Sequence, residues 1–164
     1  EAVGKYPQRF AHYWLTGMLA KIGIRSAEET DHLLLNEWLE LLFKEKMDYT
    51  NAFCMLSSDL LSDQSVVSTG PFTEWHRKWT ERLSRQGLAI EVVYDQMRQN
   101  NPAFIPRNHR VEEALLAADR EGNYKPLNDL LQVLATPFQD KPAWASYKTP
   151  AGLDYQHYQT FCGT

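Results

Sequence analysis

Apolar residues recur at three- and four-residue spacing along most of the chain, which is the signature of amphipathic helices. Phe10, Trp14, Met18 and Ile22 mark a first helix over residues 6–22, with Gly23 as its stop. Ser26-Ala27-Glu28-Glu29 has the form of a capping box and is expected to open a leucine-rich helix reaching about residue 46. Leu34, Trp38, Leu41 and Leu42 form its main face. Leu33, Leu35, Leu39 and Phe43 widen that face enough to predict contacts on two sides. Asp48 reads as an N-cap, followed by Tyr49, Phe53, Leu56 and Leu60 at helical spacing. Residues 57–70 are rich in Ser, Asp, Thr and Gly and read as a loop. Phe72, Trp75, Trp79 and Leu83 then mark a helix closed by Gly87, and Ile90, Val93, Tyr94 and Met97 one closed by Asn100-Asn101-Pro102.

Residues 101–122 are the stretch around which the rest is expected to pack. Pro106 suits a first helical position, where its missing N–H is not needed. Val111, Ala114, Leu115 and Ala118 make an apolar face of small residues, and Gly122 supplies a left-handed stop. Pro126 opens a last short helix through Leu127, Leu130, Leu131 and Leu134, which Pro137 closes. No alternating strand pattern of useful length occurs. The predicted fold is therefore all-α, about seven helices in an irregular bundle. The expected organisation is a helical domain over 1–135 and a tail over 136–164. That tail is broken by Pro137, Pro142 and Pro150 yet carries Phe138, Trp144, Tyr147, Tyr155, Tyr158 and Phe161. Such a composition predicts docking, on the helices or on another surface, rather than disorder.

Composition narrows the function classes. The 164 residues carry a formal net charge of −4, which recommends neither nucleic acid nor an anionic membrane as partner. No apolar run approaches the length needed to cross a bilayer, and residues 1–5 lack signal-peptide architecture. The absence of Met at position 1 is expected of an excised piece, and of a processed chain as well. Two cysteines, Cys54 and Cys162, do not make a disulfide framework, so a reducing, cytoplasmic compartment is expected.

Candidate chemistry is sparse. His12, His32, His76, His109 and His157 show no metal spacing, so no metal site is predicted. Glu28-Glu29 and Glu112-Glu113 are read as first-turn carboxylates complementing helix dipoles rather than as acid–base pairs. Trp14, Trp38, Trp75 and Trp79 are read as core, as is Cys54. No glycine-rich phosphate loop is present, so neither a catalytic nor a cofactor-binding residue is assigned in this chain. Arg107, Asn108, His109 and Arg110 crowd the start of a helix, where cations are disfavoured. The arginines would either clamp a phosphate or carboxylate, or pair with Glu112 or Glu113.

The run Asn101-Pro102, Phe104, Ile105, Arg107-Asn108, the alanine-rich helix, the Gly122-Asn123 turn, the leucine helix and Pro137-Phe138 resemble the C-terminal region of the selenoprotein O family. The resemblance extends upstream to Asp48-Tyr49-Thr50-Asn51-Ala52-Phe53 and downstream to Phe161-Cys162-Gly163-Thr164. It implies a parent protein adenylyltransferase with a kinase-like fold, moving AMP from ATP to protein hydroxyls with Mg or another divalent metal. Its catalytic part would lie upstream of this chain. That upstream domain is the implied intramolecular partner, with Arg107, Asn108 and Arg110 as possible interdomain contacts, and protein substrates belong to the parent. Relatives carry selenocysteine or cysteine at the position of Cys162, which implies a redox role. Here Gly163 and Thr164 follow, where familiar relatives carry serines. The alternative is a stand-alone α-helical interaction module, separated from the first reading by the coding sequence upstream of Glu1.

Overall fold

The computed structural model describes residues 3–61 and 70–152. Among them are seven α-helices and no strand: α1 (Tyr6–Lys21), α2 (Asp31–Lys44), α3 (Tyr49–Asp59), α4 (Thr73–Arg85), α5 (Ile90–Asn100), α6 (Asn108–Glu121) and α7 (Lys125–Leu134). Single 3-10 segments precede α1 and α4, and a longer one covers Pro142–Lys148. The expected all-α class is what the chain adopts. The chain divides into two compact units, Glu1–Pro102 and Ala103–Thr164.

The first unit holds the larger core. α1 packs on α2 and α5, α2 on α4, and α3 on α5. Leu19, Ile22, Leu35, Trp38, Phe53, Leu56, Trp79, Val93 and Met97 are fully buried there. Trp38, Trp75 and Trp79 form a stacked column, with ring centroids 4.5 and 5.5 Å apart. Two of the indoles are also bolted to backbone: Trp75 donates to the Leu34 carbonyl and Trp79 to that of Ile22, each at 2.8 Å. The turn after α1 needs glycine. Gly23 has φ +78°, and a Cβ there would meet Val93 Cγ1 at 2.6 Å.

Several boundaries differ from the sequence pattern, each for a visible reason. α2 opens at Asp31, not at the Ser26–Glu29 box, because the Asp31 carboxylate is buried against Arg82. Ser26 uses its carbonyl to accept from the Arg82 guanidinium. Glu28 lies outside any helix and pairs with Arg85 at 2.9 Å. Asp48 caps α3 as expected, accepting from the Asn51 N–H at 2.9 Å. That helix continues through Ser57 to Asp59, with the Ser57 hydroxyl bonded back to the Phe53 carbonyl. Residues 62–69, the remainder of the expected loop, lie outside the described residues. Pro106 does not start α6; Arg107 is extended and the helix begins at Asn108. Gly122 closes it with φ +62°.

Two packing expectations are overturned. Phe10 and Trp14 are exposed, while Met18 and Ile22 are buried. A strict four-residue step advances about 40° around a helix of 3.6 residues per turn, so the run spirals across the surface instead of holding one face. Residues 101–122 are likewise not the packing centre. α6 packs on α7 within the second unit, which buries Ala114 but leaves Leu115 53% exposed. A smaller cluster of Ala103, Phe104 and Val133 is covered by Trp144 and Tyr147 of the 3-10 segment. The Pro137 carbonyl accepts the N–H groups of both Ala103 and Phe104. α2, by contrast, packs on both α1 and α4, as its wide apolar face predicts, while Leu33 and Phe43 stay exposed.

These contacts predict opposite outcomes for two substitutions. Arg82→Ala strands a buried carboxylate and should cost about 3–5 kcal/mol. Leu115→Ala should stay within about 0.5 kcal/mol. Urea denaturation of the purified variants, followed by circular dichroism, measures both.

Candidate functional site

Charged side chains concentrate between α2 and α4. Arg82 is buried and reaches Asp31 with two nitrogens, at 2.7 and 2.9 Å, a bidentate arrangement that fits the planar guanidinium to the carboxylate. Arg85 pairs with Glu28, whose hydrogen bond raises the arginine above its ordinary range, and Lys78 pairs with Glu37 at 3.0 Å. Asp31, Glu37, Lys78, Arg82 and Arg85 border a groove of about 230 Å³ lined also by Thr30, Leu33, Leu34 and Glu81. Each cation along it already faces a carboxylate, so the groove offers no net positive field to a phosphate. Its apolar floor is Leu33 and Leu34.

A second polar cluster ties the C-terminal ends of α1 and α5. Lys21 donates to the Asn100 carbonyl at 2.9 Å and to the Asn101 side-chain oxygen at 3.3 Å. Asn101 returns a bond from its amide to the Lys21 carbonyl at 2.8 Å. An ammonium at the C-terminal end of α5 also complements that helix's dipole. The Lys21 ammonium lies 5.5 Å from the Phe53 ring centroid. Burial nevertheless lowers its pKa, with the Cys54 thiol pulling in the opposite direction. Cys54 is half-buried rather than core, and its thiol donates to the Pro102 carbonyl at 3.3 Å. Nearby, Tyr49 donates to the Met18 sulfur at 3.2 Å, and burial raises its pKa.

The residues singled out from the sequence lie in the second unit. Arg107 is half-buried at the α6 N-cap position and Asn108 is exposed at the first turn. Arg110 pairs with Glu113 at 2.8 Å, donates to the Ser146 carbonyl at 3.1 Å, and lies over the Tyr147 ring. The ion pair with Glu113 is formed, and the Tyr147 ring lies beside this first-turn cation. Cys162 lies outside the described residues. Among those described, no three His, Cys, Asp or Glu side chains converge as metal ligands, and no helix is long and apolar enough to cross a membrane.

The comparisons with known proteins place the chain. The sequence profile described as "Protein adenylyltransferase SelO" matches residues 1–135. This chain belongs to the SelO family. It is similar to "Protein nucleotidyltransferase YdiU" of Bacillus cytotoxicus, 43% identical over 162 residues, covering 99% of this chain and 33% of that protein. The protein of the same name from Geobacillus kaustophilus is 39% identical over 163 residues, with 99% and 34% covered. That from Brevibacillus brevis is 41% identical over 164 residues, with 100% and 33% covered. The chain thus spans about a third of the length of the curated SelO relatives it matches.

Sequence reasoning missed both the Asp31–Arg82 pair and the Lys21–Asn101 link. Their partners are separated by 51 and 80 positions and sit in no recognisable motif. The only local hint was a lone acid and a lone base on otherwise apolar helix faces.

Lys21 generates a pH prediction. Its folded pKa is depressed below 10.5, so between the two values the unfolded chain binds more protons and stability rises with pH. Lysine-selective NMR titration should find Lys21 losing its proton below the ordinary lysine value of 10.5. Lys21→Met should remove the rise in stability across that window.

Proposed function

We propose that this chain is the C-terminal helical part of a SelO-type protein nucleotidyltransferase, and that it buttresses and regulates a catalytic part lying outside it. In that reading the parent moves AMP from ATP onto Ser, Thr or Tyr hydroxyls of protein substrates, using Mg²⁺ or another divalent ion held by its kinase-like portion. The observation that carries the reading is the family match together with the one-third coverage of relatives named protein nucleotidyltransferases. In this reading ATP and its metal are held outside this chain. The cations of the α2–α4 groove are matched to carboxylates, and the sequence has no phosphate-cradling loop. The reading assigns the catalytic steps to the remainder of the parent and a scaffolding role to this chain.

Calorimetric titration with ATP and Mg²⁺ tests the division of labour. The 164-residue chain should show no saturable binding at micromolar concentrations, while the full-length parent should bind ATP and label a protein acceptor with radioactive AMP. Saturable micromolar binding to the chain alone, or a full-length parent without transfer, would sink the reading.

Regulation is assigned to Cys162 on the resemblance of the C-terminal residues to the family's. Under oxidising conditions its thiol should pair with a cysteine of the catalytic part, the two thiols giving two electrons and two protons to an oxidant such as glutathione disulfide. Mass spectrometry of a non-reduced digest of the full-length protein should show that cross-link. A Cys162–Cys54 peptide, or unpaired Cys162 in fully oxidised protein, would remove the redox role.

A further inference from the structure

Residues 4–14 are exposed without interruption; α1 meets the core through Leu15, Met18 and Leu19, and Ile22 just after it is buried as well. The free part of the helix is not polar. It carries Tyr6 (66% exposed), Phe10 (56%), Tyr13 (72%) and Trp14 (43%), and the Tyr6 and Phe10 rings stack at 6.1 Å. At 3.6 residues per turn, Tyr6, Phe10 and Tyr13 fall within about 60° of one another. Leu15, Leu19 and Ile22 lie on the opposite side. α1 therefore has two apolar faces, one used by the core of its own unit and one left open. An aromatic stripe of this density on a helix marks an interaction surface rather than scattered exposure. Two tyrosine hydroxyls and an indole N–H give the stripe the mixed apolar and polar character of an interface.

The size of the stripe selects the occupant. Nine helical residues span about 14 Å, too short to supply the roughly 800 Å² per partner of a stable association between separate molecules. A covalently linked partner needs far less area, because the tether sets its effective concentration in the millimolar range. Two thirds of the length of the curated relatives lies outside the match to this chain. We propose that the Tyr6–Phe10–Tyr13–Trp14 stripe is an intramolecular docking face, covered in the parent by the catalytic part. The proposal rests on the reading of this chain as the C-terminal portion of a nucleotidyltransferase. It adds the surface through which that portion is held.

Hydroxyl-radical footprinting of the full-length parent reads the four rings directly. Each should be labelled at least about tenfold more slowly than in the same protein unfolded in guanidinium, and backbone amides of residues 10–14 should exchange as slowly as those of 15–21. The double substitution Phe10→Ser/Tyr13→Ser should release that protection while leaving residues 15–21 unchanged, since neither ring contributes to the core. Rings labelled near the unfolded rate in the wild-type parent would overturn the proposal. So would protection that disappears on dilution, which would identify a second copy as the occupant. AMP transfer measured on the same sample keeps the two ideas separate. Protected rings without transfer would leave the docking face standing and remove the catalytic reading; transfer with fully labelled rings would do the reverse.

Discussion

Asp31 and Arg82 are both buried, and the presence of each inside the fold depends on the other. A lone carboxylate or guanidinium in that position would carry an uncompensated desolvation cost of several kcal/mol. Together they form two short hydrogen bonds, and a third guanidinium bond goes to the Ser26 carbonyl. The same carboxylate accepts the Glu28 N–H at 2.7 Å, so one acid defines the turn over residues 26–30, the start of α2 and the angle at which α4 crosses it. Hydrophobic burial alone would allow α2 and α4 to slide along one another. This pair fixes their register.

The tryptophan column works within that register. Trp38 comes from α2 and Trp75 and Trp79 from α4, so the rings stack only when the two helices hold one relative position. The indole bonds to the Leu34 and Ile22 carbonyls extend the constraint to α2 itself and to the end of α1. Gln86 completes the frame from the end of α4, donating to the Gly23 carbonyl and accepting from the Arg25 N–H. Lys21 and Asn101 join the ends of α1 and α5 by the same kind of polar fastening. The first unit is therefore an apolar core held at its corners by a few specific polar bonds. The charge pairs along the α2–α4 groove add to the same fastening.

This chain belongs to the SelO family and spans about a third of the length of the relatives it matches. The features left over by its own folding are surfaces: the aromatic stripe on α1, the exposed Phe43 on α2, and Leu115, Leu116 and Leu131 on α6 and α7. The second unit uses its own C-terminal aromatics locally. Trp144 meets Phe104 edge-on at 5.8 Å, and Tyr147 receives Arg110. Tyr155, Tyr158, Phe161 and Cys162 lie outside the described residues.

The sequence by itself determined the helical class, the positions of most helices and the family, because periodicity, caps and turn glycines act over a few residues. Asp48 capping α3 and Gly122 closing α6 at φ +62° are local events with local signals. Tertiary structure alone decided which apolar face is buried, since that depends on the neighbours a helix acquires. Phe10 and Trp14 look as core-like as Met18 and Ile22 in the sequence, and Leu115 as core-like as Ala114. Only packing separates them. The start of α2 was decided the same way. Ser26-Ala27-Glu28-Glu29 satisfies the local rule for a helix start, yet a partner 51 positions away makes Asp31 the stronger claim, because a buried ion pair outweighs an exposed cap.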